Sequence, residues 1–396
     1  ENRTGNRPYG ASFGFGNVVE LPEPIDYATD NATLSGELKG KNGGLTFGYR
    51  YSTFKNDVDS MIFDNPFRYT DSTDPSAYQA PGTASVGGAA TGQADLAPDN
   101  ESGALFMNGR LRAGSWSMNG ALTYNEMKQN DDLVPYTLNS AIRGIDFDHS
   151  TFAATDPAQL PTGQADTQVD VLSFYGSANG KLGDAFTLGF KVRYYDYDNG
   201  SSRIEFPGYV RYHGVWEEIG RVTVPFSYTV EDFGADLGWN FGEASRLGLA
   251  YTRQSWDRDY REIEESDEDI LKFTYDTRLG AFQIRAFYEM GDRSIGDYST
   301  EAQEESFIHP EGINNLPALR KYDEAAREYD GYGIQGWWYA TEKLDFAFGV
   351  NQRDDDYDES RFGLVGDEVL QYNAEMNIAV ADGSNFYIFY QRSERE

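Results

Sequence analysis

Cysteine is absent from the 396 residues. That excludes disulfides, thiolate metal sites and covalent attachment of a c-type haem within this chain. Histidine is scarce: His149, His213 and His309 are all there is. No two of them have metal-ligand spacing, and neither an HExxH nor a Walker pattern occurs. So few bases leave little for hydrolytic chemistry, and the chain reads as a non-enzyme. The G-x-S-x-G match at residues 10–14 lies inside an alternating segment, not at the strand-to-helix turn that a nucleophile elbow needs. No run of about 18 apolar residues exists, so no helix is expected to cross a bilayer. Cations are few: Lys and Arg number 33 against 65 Asp and Glu, a formal net charge of −32. A nucleic-acid partner needs a basic surface and is disfavoured.

What the chain does have is aromatics, 15% of all residues, and 42 glycines. Aromatic residues favour strands, and glycine suits tight turns and close backbone packing. Residues 367–392 show the pattern most clearly. Leu370, Tyr372, Ala374, Met376, Ile378 and Val380 alternate with Gln371, Asn373, Glu375 and Asn377. A strand points successive side chains to opposite faces, so this segment has one apolar and one polar face. About ten such residues span a tilted strand's path across a bilayer. A mean hydropathy of −0.63 does not oppose this, because half of each barrel strand faces a polar lumen.

The same unit recurs along the chain. Alternating segments begin at residues 9–16 and 34–51, the first two joined by a link containing Pro22 and Pro24. Long polar stretches are expected at 54–101, 128–165, 199–226, 258–269, 291–330 and 353–366. Short turns fall between them, so turn and loop alternate strictly. In an up-and-down sheet, one rim then carries only turns and the other all the loops. Outer-membrane barrels have this asymmetry. The expected fold is all-β: one domain, 1–396, forming a large antiparallel up-and-down transmembrane barrel. About fifteen strands are countable. Single-chain bacterial barrels have an even number, so the chain is expected to belong to a larger barrel.

The alternation also sorts charge. Arg50, Arg110, Arg112, Lys191, Arg193, Lys272, Asp276, Arg278, Arg285 and Glu375 all fall opposite the apolar rows. A lipid-facing Arg or Lys at mid-bilayer costs about 2–4 kcal/mol, so these must face the lumen or the rims. Arg110, Arg193, Lys272, Arg278 and Arg285 are the candidate lumen and partner-facing residues. They could act as an anion filter, or complement acidic lumen residues or an inserted protein. Asp354, Asp356 and Asp358 are candidate Ca²⁺ ligands in an acidic run without EF-hand register; a solvated loop is the plainer reading.

Several junctions, taken in order, resemble the MtrB/PioB family of decahaem-associated outer-membrane proteins. They include Leu21-Pro22-Glu23-Pro24-Ile25-Asp26-Tyr27, Asp64-Asn65-Pro66-Phe67, Arg193-Tyr194-Tyr195-Asp196-Tyr197-Asp198-Asn199 and the segment from Asp356 to Leu364. That resemblance implies a bacterial outer-membrane barrel sheathing a periplasmic multihaem c-type cytochrome that threads its lumen. Haem would come from that partner, the chain itself holding no cofactor. An extracellular multihaem cytochrome would be an optional second partner, and the lipid bilayer surrounds the barrel. Family members usually have more strands, and many carry an N-terminal Cys-x-x-Cys that is missing here. A diffusion porin or substrate-specific channel is the alternative function. A soluble all-β binding protein is the third.

Overall fold

The computed structural model describes residues 1–396 except 13–17, 67–70, 75–89, 146–149, 207–208, 211–215, 218–219, 300–301, 303, 307–315, 317, 358 and 382. Fifteen strands form one antiparallel sheet in which every strand lies beside its sequence neighbours. They are β1 (Asn2–Ser12), β2 (Val18–Gly40), β3 (Gly43–Asn56), β4 (Asn100–Ala113) and β5 (Trp116–Gln129). Then come β6 (Thr167–Leu182), β7 (Phe186–Asn199), β8 (Tyr228–Phe241), β9 (Ser245–Arg258) and β10 (Glu265–Leu279). The last are β11 (Phe282–Ile295), β12 (Arg327–Thr341), β13 (Leu344–Asp356), β14 (Gly366–Ala381) and β15 (Ser384–Arg395). Among the described residues the only helical elements are single 3₁₀ turns, such as Pro157–Gln159.

Register explains why this sheet forms. Each apolar row is set against the apolar row of the next strand: Leu122 opposite Phe174, Leu237 opposite Leu249, Leu249 opposite Phe273, Ile334 opposite Val350. A one-residue slip would swap the two faces, so the row fixes the register. At the turn rim the strands reverse over two or three residues. Gly114, Gly183, Gly242 and Gly280 supply left-handed backbone there, with φ of +60 to +66°.

The apolar rows stay uncovered. Leu34 is 79% exposed and Leu105 59%, and most of the large hydrophobics of the sheet are exposed with them. Most of the buried apolar residues lie elsewhere, in the loops at the opposite rim. Ile263 and Ala325 are fully buried there, and Ala141, Ile142 and Ala154 form a small core against Tyr136 and Phe152. A soluble sheet would not leave so broad an apolar band open to water.

Several boundaries differ from expectation. The first strand begins at Asn2 rather than at Tyr9, and residues 13–16 of the expected segment lie outside the described residues. The proline link is strand: Pro22 sits opposite Pro8 and Pro24 opposite Asn6. β3 pairs with β2 only from Tyr27 onward, so no third strand needs the missing N–H of either proline. Most of the acidic run 264–269 is also strand, as are the ends of the loops expected at 291–330 and 353–366. These strands run on past the apolar band, where cross-strand ion pairs hold them instead. Arg253 on β9 reaches Asp267 on β10 at 2.8 Å.

Candidate functional site: the polar face and its loop rim

On the polar face of β10–β13 the charged side chains form one continuous network. Lys272 Nζ on β10 donates to Glu289 on β11 at 2.8 Å. Tyr329 Oη on β12 donates to the other oxygen of Glu289 at 2.9 Å. Arg353 on β13 lies over the Tyr329 ring, 3.6 Å from its centroid, and donates two hydrogen bonds to Asp355 at 2.7 and 2.8 Å. Arg327 joins Asp355, at 3.4 Å, to Glu268. Tyr329 and Asp355 are buried although they lie on a sheet face with no second layer. Arg353 and Arg327, long enough to reach across neighbouring strands, lie over Tyr329 and pair with Asp355.

The candidate lumen cations resolve into three kinds. Arg193 faces Asp232 at 3.3 Å, Lys272 faces Glu289, and Arg285 faces Asp276 at 2.6 Å. Among the described residues, Arg278 Nε donates only to the Gly280 carbonyl, at 3.4 Å. Arg110 forms no ion pair among the described residues. The five are therefore not brought together, and three are neutralised by the adjacent strand. Asp354 and Asp356 belong to strand β13, not to a loop, with Asp354 opposite Asp330 and Glu368 on the apolar side of the sheet. Asp358 and the three histidines lie outside the described residues. Among the described residues no three acidic or histidine side chains converge on a metal position.

Above the sheet, three loops interlock. Lys321 donates to Glu262 at 2.5 Å, and Arg261 bonds Asp323 at 2.9 Å and also Glu324. Arg320 stacks on Tyr298, 3.9 Å from its centroid, and Leu319 forms a parallel bridge with Phe362. Two buried carboxyls here shift oppositely. Burial works against charge on Glu262, but Lys321 and nearby N–H groups outweigh it and hold its pKa below the ordinary glutamate value. At Glu324 burial prevails over Arg261 and raises the pKa.

A second feature went unseen in the sequence. Tyr195 and Tyr197 on β7, Tyr228 on β8 and Trp256 on β9 stack along the polar face, with centroids 5.3 to 5.8 Å apart. Arg258 continues the stack at 4.6 Å from the Trp256 centroid. The doubled tyrosine at 194–195 was the available signal, since an adjacent pair puts one ring on each face.

The family model described as outer membrane beta-barrel porin, MtrB/PioB, matches residues 1–396. The chain belongs to the MtrB/PioB family. It is 25% identical over 398 residues to the outer membrane protein MtrB of Shewanella baltica (strain OS185). The match covers 100% of this chain and 51% of that protein, so the chain spans about half the length of its curated relative. Two solved structures share the fold: the F3-3 and F5-1 variants of the FrpB iron transporter from Neisseria meningitidis. TM-scores are 0.52 and 0.51, identity 9%, with 98% and 100% of this chain and 56% and 57% of those chains covered.

This MtrB/PioB chain is thus an outer-membrane β-barrel protein, and its two faces acquire an environment. The uncovered apolar rows suit lipid, and the charged network lies on the opposite face of the sheet. The lipid-facing rows end in tyrosines at the loop rim. Tyr51 donates to Glu101 at 2.7 Å, Tyr124 to Asp170 at 2.9 Å, Tyr251 to Asp269 at 2.5 Å. An apolar ring with a hydroxyl at its tip suits the membrane interface.

Proposed function

We propose that the chain forms wall of a barrel that sheathes a periplasmic multihaem c-type cytochrome for electron transfer across the outer membrane. Electrons do not cross the apolar core without closely spaced carriers. A chain without cysteine does not attach c-type haem, so the carriers would belong to the partner. The observation that carries the reading is the state of the polar face on β10–β13. Most of its charges are paired with an opposite charge on the same face, which gives a nearly neutral wall rather than a field of one sign. Such a wall holds a folded protein surface without drawing ions past it. Diameter grows with strand number, and fifteen strands already make a wide sheet.

Purification in mild detergent from the native host should retain a haem protein with a strong Soret band. A colourless preparation would contradict the proposal. A diffusion channel is the second reading, favoured by Arg110, a polar-face cation without an ion pair among the described residues. It predicts solute or ion conductance by the barrel in planar bilayers.

A further inference from the structure

Beside the aromatic stack, the polar face of β8–β12 and the loops above it line a pocket of about 620 Å³. That volume suits a small organic ligand. Four guanidinium groups line it: Arg258, Arg261, Arg293 and Arg327. Two are neutralised, Arg261 by Asp323 and Glu324 and Arg327 by Glu268 and Asp355. The other two form no ion pair among the described residues. Arg293 spends its donors on backbone carbonyls, those of Ala325 at 2.7 Å, Asp323 at 3.1 Å and Tyr322 at 2.6 Å. Arg258 donates only to Ser266 Oγ, at 3.1 Å. A guanidinium carries five N–H donors in a planar fork, so most of the Arg258 fork is left over. The third carboxylate of the lining, Asp259, is exposed and pairs with neither.

The remaining wall is aromatic. Phe226, Tyr228, Trp256 and Tyr322 all face the pocket. Trp256 is fixed on two sides, by Arg258 against its face and by Nε1 donating to Gln254 at 2.9 Å. A guanidinium with donors to spare and exposed ring faces in the same lining define a chemical class. We propose that this pocket binds a carboxylate carried on a planar conjugated ring, with the carboxylate on the Arg258 fork and the ring against the exposed Phe226 and Tyr322. Bidentate pairing with Arg holds the anion, and stacking orients the ring. The ligand would be a free aromatic acid or a ring-borne carboxylate of a protein in the lumen. The pocket itself does not depend on the cytochrome reading.

The probe is naphthalene-2,6-dicarboxylate, titrated calorimetrically into the barrel in detergent micelles. Saturable binding is expected, and Arg258→Gln should weaken it about tenfold. Arg258→Lys, which keeps charge but loses the fork, should fall between the two. Arg246→Gln, a guanidinium on the polar face near the turn rim, should match the parent. The barrel's heat-modifiable migration on gels reports folding for every variant. No saturable binding, or equal binding by folded Arg258→Gln, would overturn the site. Naphthalene-2,6-dicarboxamide should not bind, since it lacks the charge. To separate the two sources, haem retention by Arg258→Gln is compared with the parent. Reduced retention assigns the carboxylate to the lumen protein; unchanged retention with lost probe binding assigns a free acid. A preparation without haem would sink the proposed function and leave the titration standing.

Discussion

Leu249 and Ala250 are adjacent in β9, yet they sit on surfaces governed by different forces. Leu249 belongs to an apolar row, with Leu237 and Phe273 on the flanking strands. Ala250 lies between Asp236 and Lys272 on the charged face. The first surface is held by matching apolar side chains to lipid. The second is held largely by pairing opposite charges, most of them across neighbouring strands. A single sheet with no second layer is stable in both settings because strand geometry hands alternate residues to each.

The sharpest way to break this contrast is to place the same charge on both sides. Leu249→Arg should destabilise the folded barrel by about 2–4 kcal/mol, whereas Ala250→Arg, beside Asp236, should cost less than about 1 kcal/mol. Urea unfolding in lipid vesicles followed by tryptophan emission reads both. Equal losses would remove the distinction. Next in size is the network. Arg353→Met leaves the buried Asp355 with Arg327 alone and should cost about 2 kcal/mol. That is below the 3–5 kcal/mol of a fully buried broken pair, since Arg353 is partly exposed. The same unfolding assay applies.

The loop platform gives a pH test. The Glu262 pKa is lowered on folding, so its stabilisation is complete above the ordinary glutamate value and is lost as pH falls through the folded value. The Glu324 pKa is raised, so its contribution is complete below the ordinary value and is lost as pH rises through the folded one. The platform should therefore resist opening best in mild acid, and Lys321→Met should remove the Glu262 part, an effect of about 1 kcal/mol or less. Amide exchange of residues 319–326 across pH measures it; protection that is flat with pH would contradict the assignment. The smallest effect belongs to the turn rim. Lys39→Ala breaks only the exposed pair with Glu37 and should stay within about 0.5 kcal/mol in the unfolding assay.

The strands and their faces were legible in the sequence because lipid imposes a period-two contrast wherever it touches the chain. Leu370 to Val380 displays that contrast without help from other strands. Past the lipid the contrast ends. Arg253, Asp267 and Asp269 are polar neighbours on polar neighbours, so the continuation of β9 and β10 left no hydropathy signal. Partners were illegible for a second reason. That Lys272 meets Glu289, or Arg353 meets Tyr329, depends on register between strands, which a single strand's pattern does not contain. The polar-face aromatic stack was hidden because its rings come from three strands and meet only through their register.

The absence of native cysteine allows one direct measurement. Single cysteines placed in turn at Leu247, Gly248, Leu249, Ala250, Tyr251 and Thr252, in barrels reconstituted into vesicles, are challenged with a charged, membrane-impermeant maleimide. Labelling should occur at 248, 250 and 252 and fail at 247, 249 and 251. Labelling in the opposite phase, or without a period of two, would contradict the assignment of lipid to one face and the lumen to the other.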